Sequence, residues 1–404
     1  MVACLSVRYL FYVTMHTEIL PRIVSQNRYR TFLSICNSIS ANRRLSGYYD
    51  YAFRLSTPYS PDSEMRQRAL LSVNRRDLML VLDELRRMYA GRSKEAQYAF
   101  PGELLLRPYP VLRVGGEEVA GLPIREERIR YLEIVPHRKK VLAVDASVKV
   151  LFDLGASKVV VSKVAAGIWR GLSRIYALGP LKRVKLAWSK EEVGEWLLRV
   201  EIETVLKLVR RLGTGDYCLL DRSLSVPPPS KRTTREVMDR LDRAVSARGG
   251  ILVGISKSSK LRVSTGESLV GYLSRLAERR LRGVPWIYYP VFKEGSLPPC
   301  FLGEISVAKL GGDSETAFRI DISKRALAAK SVDEILGEVA FTQDSATPGY
   351  PYPLKAVHLE SRISEYELEI DRALFLDLLR EEGLYEYFAP DVDSTSFKER
   401  CLWK

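Results

Sequence analysis

Apolar residues along this chain change their period near residue 139. Before that point the clearest signal is helical. Over residues 74–89 (NRRDLMLVLDELRRMY), Leu78, Val81, Leu82 and Leu85 recur three and four positions apart, with arginines on the opposite side. That basic side reads either as a DNA- or partner-contacting surface or as an ordinary solvated helix face. Residues 101–125 are rich in Pro and Gly and predict a surface loop or short hairpins. Beyond residue 139, short apolar runs alternate with amphipathic ones. Strands are predicted over 140–145, 159–164, 184–188, 216–221, 250–255, 286–292 and 317–322. Helices are predicted over 191–212, 233–248, 269–281 and 354–379, the last introduced by Pro351 and Pro353.

This succession predicts an α/β fold, a mixed sheet flanked by helices, with functional residues at the C-terminal ends of strands. It divides the chain into an extended N-terminal region (1–135), a main domain (136–385) and a C-terminal tail (386–404). The 404 residues are 46% hydrophobic, enough for a sizeable core, and carry a formal net charge of +14. Such a charge points to a polyanionic partner, because it strengthens and speeds encounters with phosphate backbones. Five cysteines, Cys4, Cys36, Cys218, Cys300 and Cys401, form no CxxC or CxxH pair. That pattern speaks against structural zinc and iron–sulfur clusters and suits a reducing cytoplasm. Residues 2–15 are apolar but short, interrupted by Arg8 and without a small-residue cleavage site, so neither a signal peptide nor a membrane span is expected. Met15 is an alternative start.

Two of the apolar strands end on an acid, VLAVD145 and YCLLD221. One such Asp commonly serves as a turn residue or helix cap. Two of them flanking a helix with an inward-facing Glu carry more weight. In helix 191–212, Glu201 falls among Leu197, Leu198, Val205 and Leu208, where an unpaired carboxylate is expensive. Glu203 instead neighbours Arg199 and Lys207 and fits a surface ion-pair ladder, which leaves it as the fallback acid. Crowded carboxylates call for cations. Hard divalent ions take oxygen ligands and bridge phosphate, and a pair of them would activate a water and stabilise the leaving oxygen. An acid on a strand, one on a helix and one on a strand is how RNase H-like nucleases build such a centre.

The segment GYPYPLKAVH (349–358) is the most distinctive in the chain. It places His358, one of only three histidines, in the first turns of a helix behind a stiff Tyr/Pro loop. There it could serve as a ligand or proton carrier, or simply as a packed, hydrogen-bonded imidazole; Tyr350 could equally be a packing aromatic. The ordered motifs VLAVDAS (141–147), LRVEIE (198–203), LLDRSL (219–224), GISKSS (254–259), FRIDI (318–322) and GYPYPLKAVH resemble those of NurA nucleases over roughly residues 140–380.

The resemblance implies an RNase H-like fold and a Mn²⁺-dependent (Mg²⁺ as alternative) deoxyribonuclease with two ions per site. It implies 5′-to-3′ exonuclease and single-strand endonuclease activity on single- and double-stranded DNA. It further implies a homodimer that docks on a HerA-type hexameric ATPase and resects DNA ends for recombinational repair in the archaeal cytoplasm, at the nucleoid. By resemblance, Asp145, Glu201 and Asp221 would be metal ligands, with Tyr350 and His358 completing the site and His358 also a ligand. Lys257 would face substrate phosphate, against the reading of a snorkelling surface lysine. Arg319 would contact the DNA backbone or pair with Asp321. Arg275, Arg279 and Arg280 on helix 269–281 are further candidates for backbone contact. The chain departs from the family pattern at Ala146 and Arg222, where Gly usually follows each acid. Arg222 could pair with Asp221 or reach a phosphate. Two rival readings are a catalytically silent DNA-end-binding scaffold and another RNase H-like enzyme such as a resolvase or transposase.

Overall fold

The computed structural model describes residues 107–226, 230–344 and 346–397, all within one compact unit, Asp83–Lys404. The helix predicted over 74–89 lies outside the described residues. In chain order the strands are β1 (Pro110–Val114), β2 (Glu117–Ala120), β3 (Ile129–Tyr131), β4 (Lys140–Asp153), β5 (Lys158–Arg170), β6 (Ser173–Ala187), β7 (Tyr217–Leu220), β8 (Ile251–Ser256), β9 (Arg262–Val263), β10 (Trp286–Tyr288), β11 (Gly303–Lys309), β12 (Phe318–Ser323), β13 (Gln343–Asp344) and β14 (Thr347–Pro351). The helices are α1 (Lys190–Val209), α2 (Arg232–Ser246), α3 (Leu269–Arg280), α4 (Lys324–Leu327), α5 (Val332–Phe341), α6 (Tyr352–Ser361), α7 (Glu365–Glu381) and α8 (Tyr385–Phe397).

Nine of the strands form one sheet in the order β3-β10-β11-β12-β8-β7-β4-β5-β6. Strands β4, β7 and β8 run parallel, while β5 and β6 extend β4 as an antiparallel meander. A three-strand meander whose first strand is followed on its other side by two parallel strands is the RNase H-like arrangement. The remaining four strands continue the sheet antiparallel from β8.

Alternation along β4 divides its side chains between two cores. Val141 and Ala143 pack with Tyr217, Leu219 and Val253 beneath α5 and α6, against Ile335, Leu336, Leu354 and Val357. Leu142 and Val144 pack with Cys218 and Leu220 beneath α1 and α2, against Ile202, Val205, Met238 and Leu241. A third cluster seats α3, through Leu269, Leu273 and Ala277, on β10 and β11. Among the described residues no helix is long and apolar enough to cross a membrane.

Several sequence expectations need correction. The strands predicted at 159–164 and 184–188 are parts of one long hairpin, β5–β6; much of β6 is exposed, so its outer residues show little apolar period. The strand predicted over 286–292 stops at Tyr288, ahead of Pro290, which has no amide hydrogen for a ladder. The helix predicted over 354–379 breaks in two. Arg362 is extended, Ile363 turns into a small core with Leu151, Phe152 and Val161, and Ser364 starts α7 with a reciprocal cap to Glu367. Residues 101–125 do contain a hairpin, β1–β2, joined through Gly115-Gly116. Strand β3, inside the 1–135 region, pairs with β10 in the central sheet, and α8 occupies most of the expected tail. Strand β11 and helix α5 have no counterpart in the sequence reading.

Candidate metal centre

The parallel register aligns Val144 of β4 with Leu220 of β7. Asp145 and Asp221, the next residues on each, are therefore neighbours. Both follow the alternation of Val141, Ala143, Tyr217 and Leu219 onto the face covered by α6. The loop carrying Asp221 is fixed from behind. Asp321 on β12 accepts from the Leu224 amide at 3.0 Å, and the Leu224 carbonyl accepts from Leu302 N at 3.0 Å. Gly254 of β8 lies under this loop: a Cβ there would sit 2.3 Å from the Arg222 carbonyl oxygen, so the close approach requires glycine.

Helix α6 supplies the opposite wall. His358 Nδ1 lies 2.8 Å from Asp145 Oδ2, and the Ser361 hydroxyl donates to the same oxygen at 2.7 Å. Ser361 carbonyl in turn accepts from the Ser147 hydroxyl. Ser361 is absent from the sequence reading, although it stands one helical turn after His358 and so on the same side. Ligand atoms of Asp145, Asp221 and His358 lie within 4.8 Å of one another. Two carboxylates and an imidazole form a donor set suited to Mn²⁺, and to Mg²⁺ through the oxygens.

Around this group stand two further predicted residues. Lys257, just past β8, places Nζ 2.6 Å from Asp221 Oδ2 and 5.0 Å from the centre of the Tyr350 ring. Its side chain is 41% exposed, so the ammonium remains in reach of solvent. Tyr350 is buried on β14, packed against Phe318 with ring centres 5.6 Å apart. Gly349, at φ 81°, brings the chain past Ser314 into that position. The Tyr350 hydroxyl approaches Asp221 without meeting hydrogen-bond geometry. Burial first, and then the charges of Asp221 and Asp145, push its pKa up.

Glu201 converges less closely than expected. It is buried on α1, the helix that packs on the opposite face of the sheet, close enough to feel the charges of Asp145 and Asp221 but outside the group of gathered ligand atoms. Arg222 follows Asp221 by one residue and faces α1. Its Nη2 lies 2.8 Å from Glu201 Oε2. Burial pushes the Glu201 pKa up, Arg222 opposes this, and Asp145 and Asp221 add to it; the balance is about 7. Of the two possibilities for Arg222, pairing with Asp221 is thus replaced by pairing with Glu201.

Glu203, the fallback acid, is a surface residue paired with Arg183 of β6 at 3.3 Å rather than with Arg199 or Lys207. Arg319 is not placed to meet DNA. It is 6% exposed and forked onto Asp321 at 2.7 and 2.8 Å, because an inward position on a central strand must neutralise its charge internally. Arg275 and Arg279 are exposed on α3, with Arg275 ion-paired to the buried Glu267.

No protein-family model matches this chain, and no curated protein does. Solved structures do. The NurA nuclease from Sulfolobus solfataricus aligns with a TM-score of 0.47 at 17% identity, over 64% of this chain and 89% of that one. A structure of NurA bound to dAMP and manganese aligns with a TM-score of 0.38 at 11% identity, over 58% and 87%. The catalytic domain of human Endonuclease V aligns with a TM-score of 0.34 at 15% identity, over 61% and 85%.

Proposed function

We propose that this chain is a divalent-metal-dependent deoxyribonuclease whose centre is held by Asp145, Asp221 and His358. The observation that carries the proposal is their convergence: residues 145, 221 and 358 present ligand atoms within 4.8 Å of one another. A divalent ion there would supply Lewis-acid polarisation of a phosphate oxygen and a water of lowered pKa. The protein's own groups do the rest. Asp145, as a carboxylate, accepts a hydrogen bond from Nδ1 of His358 and so orients the imidazole that would serve as ligand or proton carrier. Ser361 holds Asp145 in place. Lys257 can leave Asp221 to meet a substrate phosphate, and Tyr350 packs beneath its ammonium. Arg222 neutralises Glu201.

The resemblance of the ordered motifs to NurA nucleases supports the finer reading. In it, residues 136–385 form the nuclease domain, manganese is the ion, and the chain acts as a 5′-to-3′ exonuclease and single-strand endonuclease. It resects DNA ends as a homodimer with a HerA-type hexameric translocase. The deciding experiment incubates the purified chain with end-labelled single-stranded DNA and Mn²⁺, beside an EDTA control. Progressive, EDTA-sensitive shortening is the expected result. Binding without cleavage would leave a DNA-end-binding scaffold, and symmetric nicking of four-way junctions would indicate a resolvase.

A further inference from the structure

The charges around the centre do not leave room for two divalent ions. Three carboxylates, Asp145, Asp221 and Glu201, are in electrostatic contact. Two cationic side chains already meet them, Arg222 on Glu201 at 2.8 Å and Lys257 on Asp221 at 2.6 Å. At most a single negative charge remains. One divalent ion together with one phosphodiester anion restores neutrality, whereas a second ion would leave the site doubly positive.

The two cations differ in how freely they can leave. Lys257 is an exposed, flexible ammonium. Arg222 is 28% exposed, carries a guanidinium that stays protonated, and has a buried Nε without a hydrogen-bond partner among the described residues. Its backbone is pressed onto Gly254, and the loop is held by Asp321 through Leu224. Withdrawing this side chain from Glu201 would strand a buried carboxylate, which is strongly unfavourable.

We infer that the guanidinium of Arg222 stands in for a second metal ion, so that the centre takes one divalent cation, on Asp145, Asp221 and His358, with Glu201 outside its ligand set. The inference rests on the nuclease reading above and replaces the two ions that the family resemblance implies. Arg222 is in this account a positioning residue.

The test counts bound Mn²⁺ on the full chain by equilibrium dialysis with electron paramagnetic resonance of the free ion. Ions retained by the doubly substituted Asp145→Asn, Asp221→Asn protein are subtracted. The expected count is one ion for wild type and for Arg222→Lys, and two for Arg222→Ala. A count of two in wild type, or of one in a folded Arg222→Ala, overturns the inference while leaving the metal centre intact; no bound ion in wild type removes the metal centre itself. Should Arg222→Ala fail to fold, Glu201→Gln decides. It is expected to bind one ion with unchanged affinity, whereas a Glu201 ligand would show as a loss on the order of 100-fold.

Discussion

At the residue scale, function and stability separate among the charged side chains. His358 is half exposed and touches Asp145, so replacing it removes a donor atom without opening a core. His358→Ala is expected to lower the single-turnover cleavage rate by about 100-fold while DNA affinity changes little. Equal losses in rate and affinity would make it a binding residue. Arg319 should behave in the opposite way. Its fork on Asp321 is buried, and truncating one partner of such a pair leaves the other charge stranded, at about 3–5 kcal/mol. Arg319→Ala should therefore lower the denaturation midpoint sharply, and its DNA affinity, measured where it is folded, should keep the wild-type salt dependence. The strand-ending acids were legible because an apolar run that stops on Asp is visible without any tertiary information. The Arg222–Glu201 pair was less so. Residue 222 lies past the end of β7, where alternation no longer fixes the direction of a side chain, and the partner on α1 depends on how that helix docks.

Elements were legible where their pattern was local. Helices α1, α2 and α3 begin and end within a few residues of expectation because an apolar stripe and a polar face define them. The split between α6 and α7 turns instead on Ser364 and Glu367, a capping pair hidden within a continuous helical period. Helix α5 was missed although Ser331 and Glu334 form the same pair ahead of it. Its placement has a measurable consequence. Glu338 on α5 is clasped by Lys139 before β4, by Lys330, and by the Tyr217 hydroxyl of β7 at 2.6 Å. Burial alone would raise its pKa, but these donors outweigh burial and hold it at about 2. A carboxyl depressed from an unfolded value near 4.5 stabilises the fold above that value and loses its contribution as pH falls toward 2. Wild-type stability should thus decline over that window. Glu338→Gln should be less stable at pH 7, by about 2 kcal/mol, and show a flatter profile in the acid range. Parallel profiles for the two proteins in urea titrations at each pH would remove Glu338 from this role.

Over the whole molecule, two surfaces bear on partners. Tyr366, Ile370, Leu374 and Leu378 recur every four residues on α7, and each is about half exposed or more. A second copy packed on this stripe would bury it and form the proposed homodimer, so Ile370→Glu with Leu374→Glu should halve the mass found by light scattering. An unchanged mass would place any dimer contact elsewhere. The other surface is cationic. The chain's net charge of +14 predicts DNA binding that weakens steeply with salt, as displaced counterions return to the phosphates. Helix α3 presents Arg275, Arg279 and Arg280 to solvent, but they are not equivalent. Arg275 is committed to an ion pair with the buried Glu267. Arg279 and Arg280 carry no such obligation in the ion pairs of the described residues. If α3 lies along the DNA backbone, Arg279→Ala and Arg280→Ala should each weaken binding uniformly across sequences and reduce the slope of log K against log salt by about 1. Arg275→Ala should reduce it by less and should cost stability instead, because its charge already has a protein partner. Fluorescence anisotropy with two unrelated oligonucleotides over a salt series distinguishes the cases. Unchanged slopes in the Arg279 and Arg280 variants would return this helix face to ordinary solvation and send the DNA path elsewhere on the basic surface.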